Sequence, residues 1–376
     1  MCCKSVGRTI CQVVLFLAAL CAPLPAQLAT SDHLQDPGFW PTQSLDSAAD
    51  IVGPAVCLDC HRKMTPQLST PMAQNASRPP ATSVLQSHND LDFFNGNIHY
   101  QIKTSGADSI YSVTDGTRTL VARLLWAFGT GRVGQSYLFK KEDGDYYEAR
   151  VTYFTSLHNI EWTPARALPS PRDLEEAMDR PVGSSELARC FACHTTAGVI
   201  GDKLDEQTLI PGVSCEACHG PGAKHSANMV PGAIFNPARL MPTDSVDFCG
   251  ACHGSFWDVV LAGIKGPSTA RSQPYRLETS KCWGKGDARL TCIGCHDPHQ
   301  PLQTDPEAYD GVCQSCHATK AVVKPAAAAA HVPPSCPVGD NKCVSCHMPK
   351  VYVPEMHGDF TDHRIRIAHP GEPYPE

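Results

Sequence analysis

Cys57-Leu58-Asp59-Cys60-His61 is the first of seven Cys-x-x-Cys-His stretches in this 376-residue chain. The two cysteines are three residues apart, so on a turn of helix they lie on the same face. Both thiols can then form thioether bonds to the vinyl groups of one porphyrin, and the adjacent histidine reaches the iron as an axial ligand. The pattern therefore predicts seven covalently attached haem c groups.

The prediction assigns a role to every motif residue. The haem-attaching thiols are Cys57, Cys60, Cys190, Cys193, Cys215, Cys218, Cys249, Cys252, Cys292, Cys295, Cys313, Cys316, Cys343 and Cys346. The axial histidines are His61, His194, His219, His253, His296, His317 and His347. Composition alone predicts roughly 0.05 chance matches to this pattern in the chain. A zinc ribbon is the alternative use of Cys-x-x-Cys pairs, but a ribbon does not need a histidine after every second cysteine.

The opposite face of each iron needs a second ligand, and ten histidines lie outside the motifs. Four of them follow a motif closely and after a Pro or Gly turn, which favours a distal ligand role: His225, His299, His357 and His363. His99, His158 and His331 are weaker candidates, each with a solvated surface histidine as the alternative. Met72 is expected to fill a gap in the core rather than to cap the first haem.

The start of the chain predicts a secretory signal. Lys4 and Arg8 precede an apolar run from Ile10 to Cys21, and a cleavage site is expected after Ala26. The apolar run is shorter than a spanning helix requires, although a lipid anchor or a retained anchor remains possible. The predicted location is the periplasm or the exterior of the cell.

Cysteine usage agrees with export, because thiols outside the cytoplasm tend to pair. Apart from the motifs and the signal segment, only Cys282 and Cys336 remain. We expect them to form a disulfide, with two unpaired thiols as the alternative.

The charge balance restricts the partners. The formal net charge is −7, and removal of Lys4 and Arg8 with the signal leaves −9 before the haem propionates are counted. An acidic surface makes nucleic acid an unsuitable partner and favours basic surfaces on other redox proteins.

Motif spacing predicts the architecture. Six motifs begin within residues 190–343, which leaves too little chain per haem for a conventional apolar core. The predicted fold is a multihaem cytochrome c of mostly short α-helices and loops wrapped around a haem array. Four parts are expected: a signal peptide at 1–26, an N-terminal segment with the first haem at 27–94, a β-rich insert and connector at 95–189, and a six-haem domain at 190–376.

The insert is predicted to be small and to consist of β-strands. β-Branched and aromatic runs indicate strands at Ile98–Lys103, Ser109–Thr114, Val121–Phe128, Tyr137–Lys140 and Tyr146–Phe154. We expect a lid packed on the haems rather than a separate catalytic domain.

Several stretches resemble exported multihaem cytochromes related to cytochrome c-554. The similarity includes Gly212 to Gly222 around the third motif, Cys292 to His299, and Cys346 to Lys350 followed by Phe360 to Ile367. The stretch from Phe128 to Leu138 is similar to a β-rich insert in that group. The resemblance implies His225, His299, His357 and His363 as distal ligands, and it places Cys282 and Cys336 at family-like positions.

The sequence predicts an exported electron carrier that passes electrons between redox proteins and does not itself catalyse a reaction. One alternative is an oxidoreductase with one open haem, expected at the first motif, acting on a small nitrogen or sulfur compound. A filament of stacked subunits is a further alternative.

Overall fold

The computed structural model describes residues 47–79, 81–164, 171–230, 232–280, 282–283, 290–317 and 336–375. The predicted signal segment, the part of the N-terminal segment before residue 47, and His331 lie outside these ranges. None of the helices in the described ranges is long and apolar enough to cross a membrane.

An antiparallel sheet of ten strands forms the first half of the described chain. Its main path runs in the order β10-β7-β6-β5-β4-β3-β2, with β1 paired to β5 and β8 paired to both β6 and β9. The strands are β1 Ala76–Ser77, β2 Asp90–Asn95, β3 Ile98–Ser105, β4 Asp108–Thr114, β5 Thr119–Phe128, β6 Gly134–Lys140, β7 Tyr146–Ala149, β8 Val151–Phe154, β9 Asn159–Trp162 and β10 Asp179–Pro181.

The expectation of a small insert is wrong, because the sheet begins before residue 95 and gains strands that carry no β-branched run. β2 is Asp90-Leu91-Asp92-Phe93-Phe94-Asn95, and β10 is Asp179-Arg180-Pro181; neither contains a β-branched residue. β2 pairs with β3 and β10 with β7. The five predicted runs do form strands, with the last divided at Arg150 into β7 and β8.

The sheet has an apolar core of its own. Alternate residues of β3 and β4 are fully buried, among them Tyr100, Ile102, Tyr111 and Val113. This alternation is typical of a strand with one face on a core. The β-sheet half is therefore stabilised by ordinary side-chain packing, whereas the motif-rich half is built from short helices.

Twelve α-helices lie in the described ranges. They are α1 Pro54–Cys60, α2 Ser83–Ser87, α3 Leu174–Met178, α4 Ser184–His194, α5 Cys215–His219, α6 Ala223–Asn228, α7 Pro242–His253, α8 Phe256–Ala262, α9 Gln273–Glu278, α10 Cys292–Cys295, α11 Asp310–His317 and α12 Cys343–His347. Short 3₁₀ helices are Arg62–Ser69, Pro237–Arg239, Gly266–Arg271, Pro306–Tyr309 and Pro354–Met356. The prediction of short helices in this half is confirmed.

Three small antiparallel ladders connect the helices. β11 Thr195–Thr196 pairs with β14 Ile210–Pro211, β12 Val199–Ile200 with β13 Lys203–Leu204, and β15 Lys350–Val353 with β16 Gly358–Thr361. The last ladder holds the segment after the seventh motif, which carries His357 and His363.

An aromatic cluster joins the sheet to the second motif. Phe191 of α4 is fully buried and meets Trp126 and Phe128 of β5 edge to face, with ring centroids 5.2 Å apart in both cases. The ring of Phe128 also lies 4.8 Å from that of His194. The sheet thus covers the second motif.

Candidate haem-attachment sites

Each of the seven motifs lies at the carboxyl end of a helix. The helices α4, α5, α7, α11 and α12 end on the motif histidine, and in α1 and α10 that histidine follows the last helical residue. Residues three apart on such a turn share a face. The two thiols of every motif are therefore presented together, as attachment of a single porphyrin requires.

Second hydrogen bonds orient several motif histidines. Nδ1 of His194, His219 and His347 donates to a backbone carbonyl oxygen, that of Asn75 at 3.2 Å, Phe235 at 2.9 Å and Arg366 at 2.8 Å, respectively. A metal-ligating histidine characteristically donates its other ring N–H in this way, which leaves Nε2 for the metal.

Burial also favours the ligand form of these imidazoles. It lowers the pKa of His194, His219, His253 and His296 because the imidazolium cation is poorly solvated inside the protein. For His363 the same cause lowers the pKa to about 4. Neutral imidazoles keep a lone pair for iron.

Three of the four predicted distal histidines face a motif histidine. Ring centroids are 6.3 Å apart for His61 and His225, 6.1 Å for His219 and His299, and 6.3 Å for His296 and His363. Two imidazoles on opposite faces of one metal, each bound at about 2 Å, have centroids about 6.2 Å apart. A directly stacked pair is much closer, as the 4.0 Å between Phe94 and His99 shows. The three pairs therefore fit bis-histidine ligation of haem.

The pair formed by His61 and His225 bears on the alternative of an open haem. Because no histidine lies near the first motif in the sequence, that alternative places its open site there. The structure brings His225, from α6, across from His61.

His357 has different neighbours from those expected of a distal ligand. Its ring lies edge-on to Phe154 with centroids 4.6 Å apart, and Nε2 is 3.5 Å from a carboxylate oxygen of Glu161. These contacts are with the β-sheet. The distal role of His357 stays a prediction, and the described contacts do not favour it.

A fourth histidine pair contains no motif residue and was not foreseen from sequence. The rings of His88 and His158 are 6.2 Å apart. His88 Nδ1 contacts the carbonyl oxygen of Val84 at 3.2 Å, and Nε2 lies 3.5 Å from the Tyr153 hydroxyl. Both ring nitrogens of His88 thus have protein partners. His99, the other weak candidate, stacks on Phe94 and lies 3.4 Å from Asp92.

Cysteines of different motifs, numbered one to seven in chain order, lie close to one another. In four pairs one thiol shifts the pKa of the other: Cys57 with Cys215, Cys193 with Cys252, Cys249 with Cys292, and Cys313 with Cys343. Cys193 Sγ also donates to the carbonyl oxygen of Ala251, between the cysteines of motif four, at 3.5 Å. These contacts join motif one to three, two to four, four to five, and six to seven.

Two further contacts complete the network. His219 Nδ1 bonds to the carbonyl oxygen of Phe235, whose ring lies 5.8 Å from that of Phe248, the residue before Cys249, so motif three lies beside motif four. The ring of Tyr309, the residue before α11, lies 5.5 Å from that of His296, so motif five lies beside motif six. All seven motifs therefore belong to one continuous set of neighbours.

A buried carboxylate fastens the first motif to the third. Glu216 lies between the two cysteines of motif three and is 2% exposed. Its carboxylate accepts hydrogen bonds from the backbone N–H groups of Val52 at 2.9 Å, Gly53 at 2.8 Å and Gly222 at 2.8 Å. The chain entering α1 is thereby tied to the turn that leads to His225.

Asp310 has a similar role between motifs six and seven. Its carboxylate accepts from the backbone N–H groups of Lys342 at 2.7 Å and Cys343 at 2.9 Å. The bond from Cys343 is the main cause that lowers the pKa of Asp310. The first residue of α11 thus holds the start of α12.

We expect Asp310→Ala to lower the Tm of the protein at pH 7 by a few degrees. A carboxyl whose pKa is lowered on folding stabilises the protein above its unfolded pKa, about 3.9, and this stabilisation is lost as pH falls through the lower folded value. The difference in Tm between wild type and variant should therefore shrink below about pH 4. Thermal melts at pH 7 and pH 3 check this, with the exposed Asp202→Ala as control; an unchanged difference would contradict it.

The two cysteines outside the motifs in the described ranges differ in exposure. Cys282 is half-buried and Cys336 is exposed. Their disulfide stays a prediction.

No group of three or more His, Cys, Asp or Glu side chains in the described ranges is arranged to hold a metal ion.

The motifs, their helical turns and the sequence comparisons show that the chain is a multihaem c-type cytochrome. Residues 156–220, which contain motifs two and three, match the family described as cytochrome c554 and c-prime. The chain is 25% identical to the multihaem cytochrome MtrA of Shewanella baltica (strain OS185) over 201 residues. This aligned region is 40% of this chain and 60% of the relative. The resemblance to the cytochrome c-554 group is confirmed. No solved structure matches the chain.

Proposed function

We propose that this chain is an exported heptahaem cytochrome that transfers electrons between redox partners. The observation that carries the proposal is that all seven motifs are neighbours, joined through Glu216, Cys193, Phe235, Tyr309 and Asp310 and, between motifs four and five, through packing of α10 on α7. Porphyrins attached at neighbouring thiols are held close together. When bound, haem c supplies one-electron Fe(III)/Fe(II) chemistry, with potentials set by axial ligands, burial and nearby charge.

Different residues of the chain would attach the haems and ligate their irons. Paired cysteines at each helix end hold a porphyrin edge, and the motif histidine supplies one axial ligand. With haem bound, His225, His299 and His363 would supply a second ligand to the sites of His61, His219 and His296, whose rings they face. Imidazole on both faces closes the iron to exogenous ligands and suits electron transfer.

The neighbours of each motif also support an order for the haem sites along the electron path. The neighbours run one, three, four, five, six, seven, whereas motif two meets motif four where Cys193 Sγ donates to the Ala251 carbonyl oxygen at 3.5 Å. Motif two is therefore a side branch, and it is covered by the aromatic residues of the sheet. The two ends of the series are motifs one and seven, where we expect electrons to enter and leave.

The proposed location rests on the pattern of residues 4–21, and the proposed partners rest on the net charge of the chain. The basic and then apolar pattern over residues 4–21 supports export, and the acidic balance supports docking to basic surfaces of other redox proteins. The similarity to a multihaem cytochrome agrees with a redox partner but does not name one.

The main alternative is an oxidoreductase whose open haem is expected at the first motif. The ring of His225 faces His61 there, which supports a closed site at that motif. We therefore place electron transfer first.

The experiment is a haem count followed by an optical redox titration of the purified, haem-loaded protein. We expect seven covalent haems by mass and pyridine haemochrome, and all haems exchanging electrons within the time of mixing with substoichiometric dithionite. Haems that stay oxidised while others are fully reduced, and that equilibrate only through an added mediator, would overturn the proposal.

A further inference from the structure

A fully buried ion pair lies next to the segment that carries His363. The guanidinium of Arg276 in α9 donates to Asp362 through Nε to Oδ1 at 2.8 Å and through Nη2 to Oδ2 at 3.0 Å. Both side chains are 0% exposed. Two parallel bonds of this kind fix the orientation of the carboxylate as well as its distance.

Two more charges extend the pair into a cluster. Arg366 Nη1 lies 2.7 Å from Asp362 Oδ2, and Nη2 lies 3.0 Å from a carboxylate oxygen of Glu372. Arg276 also donates to the carbonyl oxygen of Pro375 at 3.0 Å, and its guanidinium is 4.6 Å from the ring centroid of Tyr374. The four ionised side chains, Arg276, Asp362, Arg366 and Glu372, sum to zero charge, and we refer to them as the ion cluster.

The cluster fixes the backbone around His363. Asp362 precedes this histidine, and its N–H donates to the carbonyl oxygen of Pro349 at 3.0 Å. The imidazole donates from Nδ1 to the carbonyl oxygen of Thr361 at 3.0 Å. On the other side, the buried Ser280 hydroxyl donates to the His363 carbonyl at 3.3 Å and accepts from Ile365 N–H at 2.8 Å.

The same segment orients the motif-seven histidine. His347 Nδ1 donates to the Arg366 carbonyl at 2.8 Å, and Arg366 N–H donates back to the His347 carbonyl at 3.1 Å. Arg366 is thus a member of the ion cluster and the direct backbone partner of His347. Motifs five and seven, which do not touch through their thiols, meet at this cluster.

We propose that the ion cluster positions two axial imidazoles, His363 opposite His296 and His347 of motif seven, and so couples the fifth and seventh haem sites. The proposal rests on the ligand assignment made above. Asp362 is its centre, because it bridges both arginines and belongs to the backbone that carries His363. Arg276, Asp362 and Arg366 are positioning residues.

Stability alone does not account for such a cluster. Replacing a buried ion pair by apolar residues of similar volume is often neutral or stabilising, so the ionic form has no general advantage in folding free energy. Its advantage here is geometric, since the fork of Arg276 and the reciprocal bonds of Arg366 leave little freedom to either imidazole.

The test is carbon monoxide binding to the dithionite-reduced holoprotein, together with an optical redox titration, in Asp362→Asn. We expect a carbon monoxide adduct of up to one haem in seven, as His363 leaves the iron. We also expect upward shifts in the potentials of two haems, because Arg276 and Arg366 then lack a counter-charge. Asp179→Asn is the matched control, since Asp179 is a buried carboxylate bound to Lys141 at 2.7 Å within the β-sheet.

A second variant separates positioning from folding. Ser280→Ala removes the hydroxyl bridge beside His363 without leaving a buried charge, and should give a partial adduct in a folded protein. If Asp362→Asn folds and matches Asp179→Asn in both readouts, or if Asp362→Asn misfolds and Ser280→Ala gives no adduct, the proposal is overturned. His363→Ala separates a failure of the proposed ion-cluster role from a failure of the ligand assignment. A carbon monoxide adduct in His363→Ala but in neither Asp362→Asn nor Ser280→Ala rejects the role of the ion cluster alone. No adduct in His363→Ala rejects the assignment of His363 as a ligand.

Discussion

Replacing Glu216 by alanine is expected to lower the free energy of unfolding by about 3 kcal/mol or more. The carboxylate accepts three backbone N–H bonds, from Val52, Gly53 and Gly222, and is almost completely buried. Bonds to a charged acceptor contribute more than neutral ones, and donors left unpaired inside the protein carry a further penalty. The loss should also release the segment that carries the first motif from its place beside the third.

Denaturant titration followed by far-ultraviolet circular dichroism measures this effect as a lower midpoint. The matched control is Glu175→Ala, because Glu175 pairs with Arg118 on the surface, where their side chains are 54% and 55% exposed. We expect that variant to stay within about 0.5 kcal/mol of wild type. Equal midpoints for the two variants would show that Glu216 does not join the motifs.

Replacing His225 by alanine is expected to create a carbon monoxide-binding haem, with a spectral change worth one haem in seven. His225 lies opposite His61 at a centroid distance of 6.3 Å. Without its imidazole, the sixth position at the first motif is open, and ferrous five-coordinate haem can take an exogenous ligand. The wild-type protein should show no such change at this site.

His357→Ala provides the comparison, since sequence context gave the two histidines the same predicted role. The structure places His357 against Phe154 and Glu161, so its loss should leave the carbon monoxide spectrum as in wild type. A new adduct in His357→Ala but none in His225→Ala would show that sequence context assigns the ligands better than the described geometry.

Local chemistry made part of the molecule predictable. The seven motifs form helix ends because their residues interact over three or four positions, and these contacts need no information from elsewhere in the chain. The strands from Ile98 to Phe154 were also predictable from β-branched and aromatic runs. Backbone pairing of segments without β-branched residues was not, so β2 and β10 were missed and the sheet was underestimated.

The candidate distal ligands were also only partly predictable from the sequence. Proximity of His299 to its own motif suggested a ligand, yet its ring faces His219 of motif three. Likewise, the ring of His225 faces His61 of the first motif, which lies more than 150 residues earlier in the chain. Residue types and turns indicated which histidines are available, but not which iron each one reaches.

By itself the sequence predicted the cofactor type, seven attachment points and the class of short helices that carry them, because covalent attachment needs only neighbouring residues. Only the tertiary structure decided which motifs are neighbours, that motif two lies beside the sheet, and that one ion cluster lies between His363 and His347. These features depend on contacts between distant segments, whose pairing is set by packing, burial and complementary charge once the chain has folded.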